Sequence, residues 1–171
     1  MIVLMAGLPG TGKSTLARQL AERTQGAILN KDEIRSALLS PEDIEYSAEQ
    51  DDFVMEIMLD TAGYLLQRRS ARIVFLDGRP FSRRSQIDRV VEFARELAQP
   101  WTIIECICSD ESARRRLELA PDPSHPAQNR SYALYLEVKR HFEPILYPKV
   151  TIDTDQPLDE CVARALAAVG S

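Results

Sequence analysis

The stretch "GLPGTGKST", residues 7–15, stands directly behind the apolar run "IVLMA" of residues 2–6. Gly7, Gly12, Lys13 and Ser14 satisfy the pattern G-x-x-x-x-G-K-[ST] in full, at the point where a short buried strand should give way to a helix. Glycines let the backbone curl until successive N–H groups point inward at a phosphate, and the helix N-terminus adds partial positive charge. The run Gly7, Leu8, Pro9, Gly10, Thr11, Gly12, Lys13, Ser14 and Thr15 is therefore expected to cradle the phosphates of ATP. In that cradle Lys13 would bridge the β- and γ-phosphates and the Ser14 hydroxyl would help to hold Mg²⁺. A nucleotide site alone leaves three classes open: kinase, switch GTPase and ATP-driven machine.

Strand and helix patterns alternate along the rest of the chain. "GAILN" (26–30) reads as a second strand, "DEIRSALL" (32–39) as a helix stopped before Pro41, and 48–69 as a long helix with Phe53, Ile57, Ala62, Leu65 and Leu66 on its apolar side. "RIVFLD" (72–77) is a third strand, 82–98 a helix, and "WTIIECIC" (101–108) a fourth strand. Ser109 is a good N-cap for the next helix, with Ser112 three residues on. "PDPSHPAQN" (121–129) cannot be regular structure, because its prolines remove donors and fix backbone angles. A helix over 131–141, a strand "VTIDT" (150–154) and an amphipathic helix over 158–169 close the chain. Such alternation predicts one three-layer α/β/α domain, residues 1–171, with five parallel strands. Ligands of these sheets bind beyond the carboxyl ends of the strands, which puts the glycine loop, Asn30–Asp32, Asp77–Arg79 and the loop after the fourth-strand helix on one rim.

Bulk properties fit this reading. A chain of 171 residues suits a single domain. A net charge of −5 argues against a general nucleic-acid-binding surface. No apolar stretch reaches the length of a membrane span, and the N-terminal run lacks the basic start of a signal peptide, so a cytoplasmic protein is expected. Cys106, Cys108 and Cys161 have no metal-ligand spacing and read as buried free thiols. His125 and His141 lack partners at useful spacing.

The small size favours a kinase, since no second domain is available for oligomerisation or leverage. A switch GTPase would carry N-K-x-D after a late strand; here the nearest string, "NKDE" at 30–33, lies on the second strand with its Asp one position early. In "NKDEIR", Asp32 follows a strand end and Arg35 sits three residues on, on the same helix face. A carboxylate beside a γ-phosphate is useful if it takes the proton of an attacking hydroxyl. As a purely structural alternative, Asp32 would be a helix cap.

Together the glycine loop, "NKDEIR", the "DTAGYLL" helix and "IVFLDGRPFSRR" resemble the small P-loop kinase superfamily, which includes the 5′-kinase domain of phage-type polynucleotide kinase, zeta toxins, chloramphenicol phosphotransferase and gluconate kinases. The resemblance implies a general base at Asp32, an acceptor contact at Arg35, and a role for Asp77 close to acceptor and metal. It also implies lid arginines, over about 114–130, that stabilise the transferring phosphoryl group. The usual R-x-x-x-R places one at Arg116 but finds Ala120 at the partner position; Arg130 is the candidate for the second charge, with Arg114 or Arg115 as substitutes. Arg79 stands where a small polar residue is usual, which puts it with Asp32, Arg35 and Asp77 among the expected acceptor-binding residues and points to an acceptor other than a nucleic-acid 5′ end. The implied function is ATP- and Mg²⁺-dependent transfer to a small-molecule hydroxyl. A polynucleotide 5′-hydroxyl kinase and a non-catalytic nucleotide-binding module remain the alternatives.

Overall fold

The computed structural model describes residues 1–68, 73–119 and 131–170. Five strands form one parallel sheet in the order β2-β3-β1-β4-β5: β1 (Ile2–Ala6), β2 (Ala27–Asn30), β3 (Val74–Asp77), β4 (Trp101–Ile107) and β5 (Val150–Asp153). In register, Ile2 pairs with both Val74 and Trp101, and Asn30 with Asp77. The helices are α1 (Lys13–Thr24), α2 (Lys31–Leu38), α3 (Ala48–Arg68), α4 (Arg84–Glu96), α5 (Asp110–Arg114), α6 (Tyr132–Arg140) and α7 (Leu158–Val169). A single π turn, Arg115–Leu119, continues α5.

Every residue of β1 is fully buried, because a central parallel strand is covered on both faces. Alternate side chains serve opposite layers, as strand geometry requires. Ile2, Leu4 and Ala6 pack into the core made with α3 and α4, whereas Val3 and Met5 pack against α1 and α7. The expected three-layer α/β/α arrangement is therefore the observed one.

Two expectations need correction. The buried stripe of α3 consists of Val54, Met55, Met58, Leu59, Ala62 and Leu66, while Phe53 is 53% exposed. The stripe is rotated because Val54 and Met55, one and two positions on, take the inward places. Cys106 and Cys161 are buried, but Cys108 lies past the end of β4 and is only half-buried. Burial pushes the Cys106 thiol up to about 12, which keeps it a neutral core residue.

Candidate active site

Beyond the carboxyl ends of β1, β2, β3 and β5 lies a cleft of about 570 Å³. The glycine loop forms its floor. Gly7 leaves β1 with φ at +128°, and a Cβ there would meet the Cys106 carbonyl oxygen at 2.2 Å. Its N–H donates to the Pro80 carbonyl at 3.0 Å, so the loop is tied to the chain beyond β3. Gly7→Ala is expected to cost about 2–5 kcal/mol, the sum of backbone strain and a clash that no side-chain rotation relieves. Thermal denaturation checks this, and an unchanged melting temperature would contradict the described loop.

Lys13 begins α1 and is 9% exposed. Its Nζ donates to the carbonyls of Gly7 (2.9 Å) and Leu8 (2.8 Å), folding the side chain back over the loop it closes. Ser14 and Thr15 stand at the cleft side of the same helix start, with Pro9, Gly10 and Gly12 on the loop. Leu8 instead packs against the small cluster of Ala113, Leu117 and Tyr135, and Thr11 is buried with its hydroxyl donating to the Leu8 carbonyl.

Asp32 is brought to the cleft because β2 runs into α2 without a loop. Asn30, the last residue of β2, caps α2: its side-chain oxygen accepts from the N–H groups of Asp32 (2.9 Å) and Glu33 (3.2 Å). The cap is therefore Asn30, and the alternative in which Asp32 served as the cap is overturned. Asn30 also donates through Nδ2 to Asp77 Oδ2 at 2.8 Å, which fixes β3's terminal carboxylate against β2. Gly78 makes this closeness possible; with φ at +87°, a Cβ there would lie 2.9 Å from the Lys31 backbone nitrogen.

Around Asp32 the charges form a compact network. Arg35 Nη1 donates to Asp32 Oδ1 at 2.9 Å, Arg35 Nη2 binds Asp51, and Lys31 Nζ reaches Asp51 at 2.7 Å and Asp32 at 3.7 Å. Arg35 is 1% exposed and stacks beneath Tyr46, whose ring centroid is 5.0 Å from the guanidinium. In this arrangement Arg35 orients the Asp32 carboxylate from behind, whereas Asp32, Lys31, Tyr46 and Asp51 line the cleft.

Asp77 is 1% exposed and sits behind the cleft-lining Gly78. Its Oδ1 is buried and has no hydrogen-bond partner among the described residues. Magnesium bound to a nucleotide keeps several waters and takes only one or two protein oxygens. The Ser14 hydroxyl at the cleft and the orphan Asp77 oxygen behind it fit that habit. Arg79, two residues on, is 5% exposed, faces a neighbouring cleft and pairs with Asp52.

Of the three clustered arginines, Arg116 alone lines the main cleft. Its Nη1 donates to the Gly10 carbonyl (3.2 Å) and the Thr154 hydroxyl (3.0 Å), and its Nη2 to the Thr154 carbonyl (2.8 Å). It thus ties the glycine loop to the turn after β5. Arg114 is exposed and paired with Glu118, and the exposed Arg115 reaches the Ser112 hydroxyl at 3.4 Å. Ser109 does cap α5, with its hydroxyl accepting from the Ser112 N–H at 3.2 Å. Asp155 accepts the Ser109 N–H at 2.8 Å, a bond that holds its carboxyl well below the usual range, at about 2. Ala120, His125 and Arg130 lie outside the described residues; His141 is exposed at the end of α6.

Arg116→Ala is expected to raise the KM for nucleotide by roughly tenfold, the worth of about one charge-assisted hydrogen bond. An unchanged KM in steady-state kinetics would show that the tie does not shape the nucleotide site.

Several cleft residues carry no signal that sequence reasoning used. Thr154, Gln156 and Cys161 line the wall after β5. The carboxyl-end rule applied to the last strand would have found Thr154 and Gln156, whereas Cys161 belongs to α7. Asp51 arrives from the start of α3 and Tyr46 from the segment before it, and neither has a local pattern of its own.

A family profile described as an AAA domain matches residues 2–145. The chain belongs to this family. No curated protein matches it. Among solved structures, this AAA-domain protein is similar to a gluconokinase from Sinorhizobium meliloti 1021, at 21% identity and TM-score 0.69, covering 99% of this chain and 90% of that one. It is also similar to the APS kinase of Mycobacterium tuberculosis in complex with AMPPNP and APS, at 15% identity and TM-score 0.75, covering 99% and 97%. A sugar kinase from Janibacter sp. HTCC2649 matches at 18% identity and TM-score 0.66, covering 99% and 94%. At these identities the likeness establishes the P-loop α/β fold of the AAA-domain protein. Among the described residues, no helix is long and apolar enough to cross a membrane.

Proposed function

We propose that this protein is a kinase that transfers the γ-phosphoryl group of ATP to a hydroxyl of a small molecule. The observation that carries the reading is Asp32: a carboxylate held by Arg35 and Lys31 at the wall of the cleft whose floor is the phosphate loop. A helix-capping role does not account for it, because Asn30 performs that task. The three solved relatives are all named as kinases, which supports the same class of chemistry.

In the proposed mechanism the glycine-loop N–H groups and Lys13 hold the phosphates, and Asp32 accepts the proton of the acceptor hydroxyl. The hydroxyl oxygen bonds to the γ-phosphorus as the bond from that phosphorus to the bridging oxygen breaks, releasing ADP. Ser14 and Asp77 would hold Mg²⁺, which supplies charge neutralisation between the phosphates. Arg116, already against Gly10, steadies the loop from the side of the turn after β5.

Acceptor-stimulated ADP release, screened over sugars, polyols, nucleosides, antibiotics and oligonucleotide 5′ ends, tests the proposal. Stimulation by a small hydroxyl compound is the expected result. Stimulation by oligonucleotide ends alone would favour a polynucleotide kinase. Nucleotide binding with no stimulated release would favour a non-catalytic module.

A further inference from the structure

Next to the nucleotide cleft a second cleft of about 500 Å³ opens between α3 and α4. The two adjoin, with Tyr46, Asp51, Pro80 and Val138 lining both, so the second cleft lies beside Asp32. Most charges there are already neutralised. Asp51 is shared by Lys31 and Arg35, and Glu56 is bound at both oxygens by Arg89.

Arg79 differs. It is 95% buried by its 5% exposure, yet its Nε–H has no hydrogen-bond partner among the described residues. Its Nη2 binds one oxygen of Asp52, whose side chain is 68% exposed. Nε–H and Nη2–H lie on the same edge of a guanidinium, the edge that grips a carboxylate or phosphate with two parallel bonds. Asp52 engages only half of that edge and does so from solvent, the side from which an incoming anion would compete with it. Arg83 stands exposed at the rim of the same cleft and forms no ion pair among the described residues.

We propose that the second cleft binds the anionic end of the acceptor, a carboxylate or phosphate carried by a small polyhydroxylated molecule, on the Nε/Nη2 edge of Arg79 with Asp52 displaced. The inference rests on the kinase reading above and narrows its acceptor to an acidic one. Arg79 acts here as an acceptor-binding residue, and Asp52 as the occupant that keeps a buried guanidinium neutralised until the acceptor arrives.

Three matched series test this: neutral polyols, the aldonates of the same chain lengths, and the corresponding polyol phosphates. Each is titrated calorimetrically into the ADP-loaded protein and assayed for ATP-dependent phosphorylation. At least one anionic member is expected to bind roughly 10–100-fold more tightly than its neutral counterpart, the worth of one or two charge-assisted bonds. The aldonate and phosphate arms identify which anion the edge prefers. Arg79→Gln should abolish the difference. Asp52→Asn, compared at a temperature where thermal melting shows the variant folded, should tighten anion binding several-fold by removing the competitor.

Equal binding of neutral and anionic members would overturn the proposal, as would an absence of binding by every anionic member. Asp52→Asn without effect on a bound anion would also overturn it, even if Arg79→Gln failed to fold. Phosphorylation of neutral polyols with no anion preference would sink the anion site and leave the kinase reading intact. Anion binding lost in Arg79→Gln, with nothing phosphorylated, would do the opposite.

Discussion

Lys13→Ala is expected to lose ATP affinity and phosphoryl transfer together. Lys13 is the only cationic side chain within the loop of residues 7–15, and its Nζ already stands against the Gly7 and Leu8 carbonyls. On the proposed kinase reading, the same ammonium would meet the negative charge that grows between the β- and γ-phosphates of a bound nucleotide. Removing one preorganised electrostatic donor of this kind lowers turnover by roughly 10²–10³. The variant also loses two charge-assisted bonds to the loop backbone, so a stability loss of about 1–3 kcal/mol should accompany the catalytic one. Nucleotide titration, single-turnover kinetics and thermal melting separate these effects. ATP binding and turnover at wild-type levels, in a variant that is folded, would mean that the loop does not cradle phosphate.

The difference between Lys13 and the rest of the cleft explains how far the sequence could be read. Phosphate binding by the glycine loop depends on backbone angles and spacing inside nine consecutive residues, so the pattern carries its own geometry. The sheet was equally legible, because a parallel strand buried on both faces reads as a continuous apolar run, as β1 does. Capping was harder. "NKDE" contains two good capping residues two positions apart, and only the direct passage from β2 into α2 selects Asn30 over Asp32. Along α3, Phe53 satisfies a helical period as well as its neighbours do; which edge of the stripe faces inward is set by the packing of α3 on the sheet. Tyr46 and Asp51 reach the cleft through tertiary placement alone. Arg79 has the same origin: its sequence position marks it as unusual, but its unsatisfied edge and solvent-side partner are properties of the folded chain.

Asp32→Asn is expected to lower acceptor phosphorylation by roughly 10²–10⁴, the usual worth of a positioned general base. Asparagine keeps the size of the side chain and can still accept a hydrogen bond from Arg35, but it cannot take a proton at neutral pH. Because Asn30 caps α2, the substitution leaves the helix start intact. Its structural cost arises from Arg35, which is 1% exposed and would keep Asp51 as its only carboxylate partner among those described. That weakening should amount to about 1–2 kcal/mol of stability, one charge-assisted bond exchanged for a neutral one. ATP affinity should hold or rise slightly, since a negative charge near the γ-phosphate is removed. The diagnostic pattern is thus a large fall in transfer with a small fall in melting temperature and no loss of nucleotide binding. A fall in transfer that merely tracks lost stability would assign Asp32 to the ion-pair network alone. Transfer at the wild-type rate to a true acceptor would remove the base from the mechanism, and with it the strongest reason to read this cleft as a kinase site.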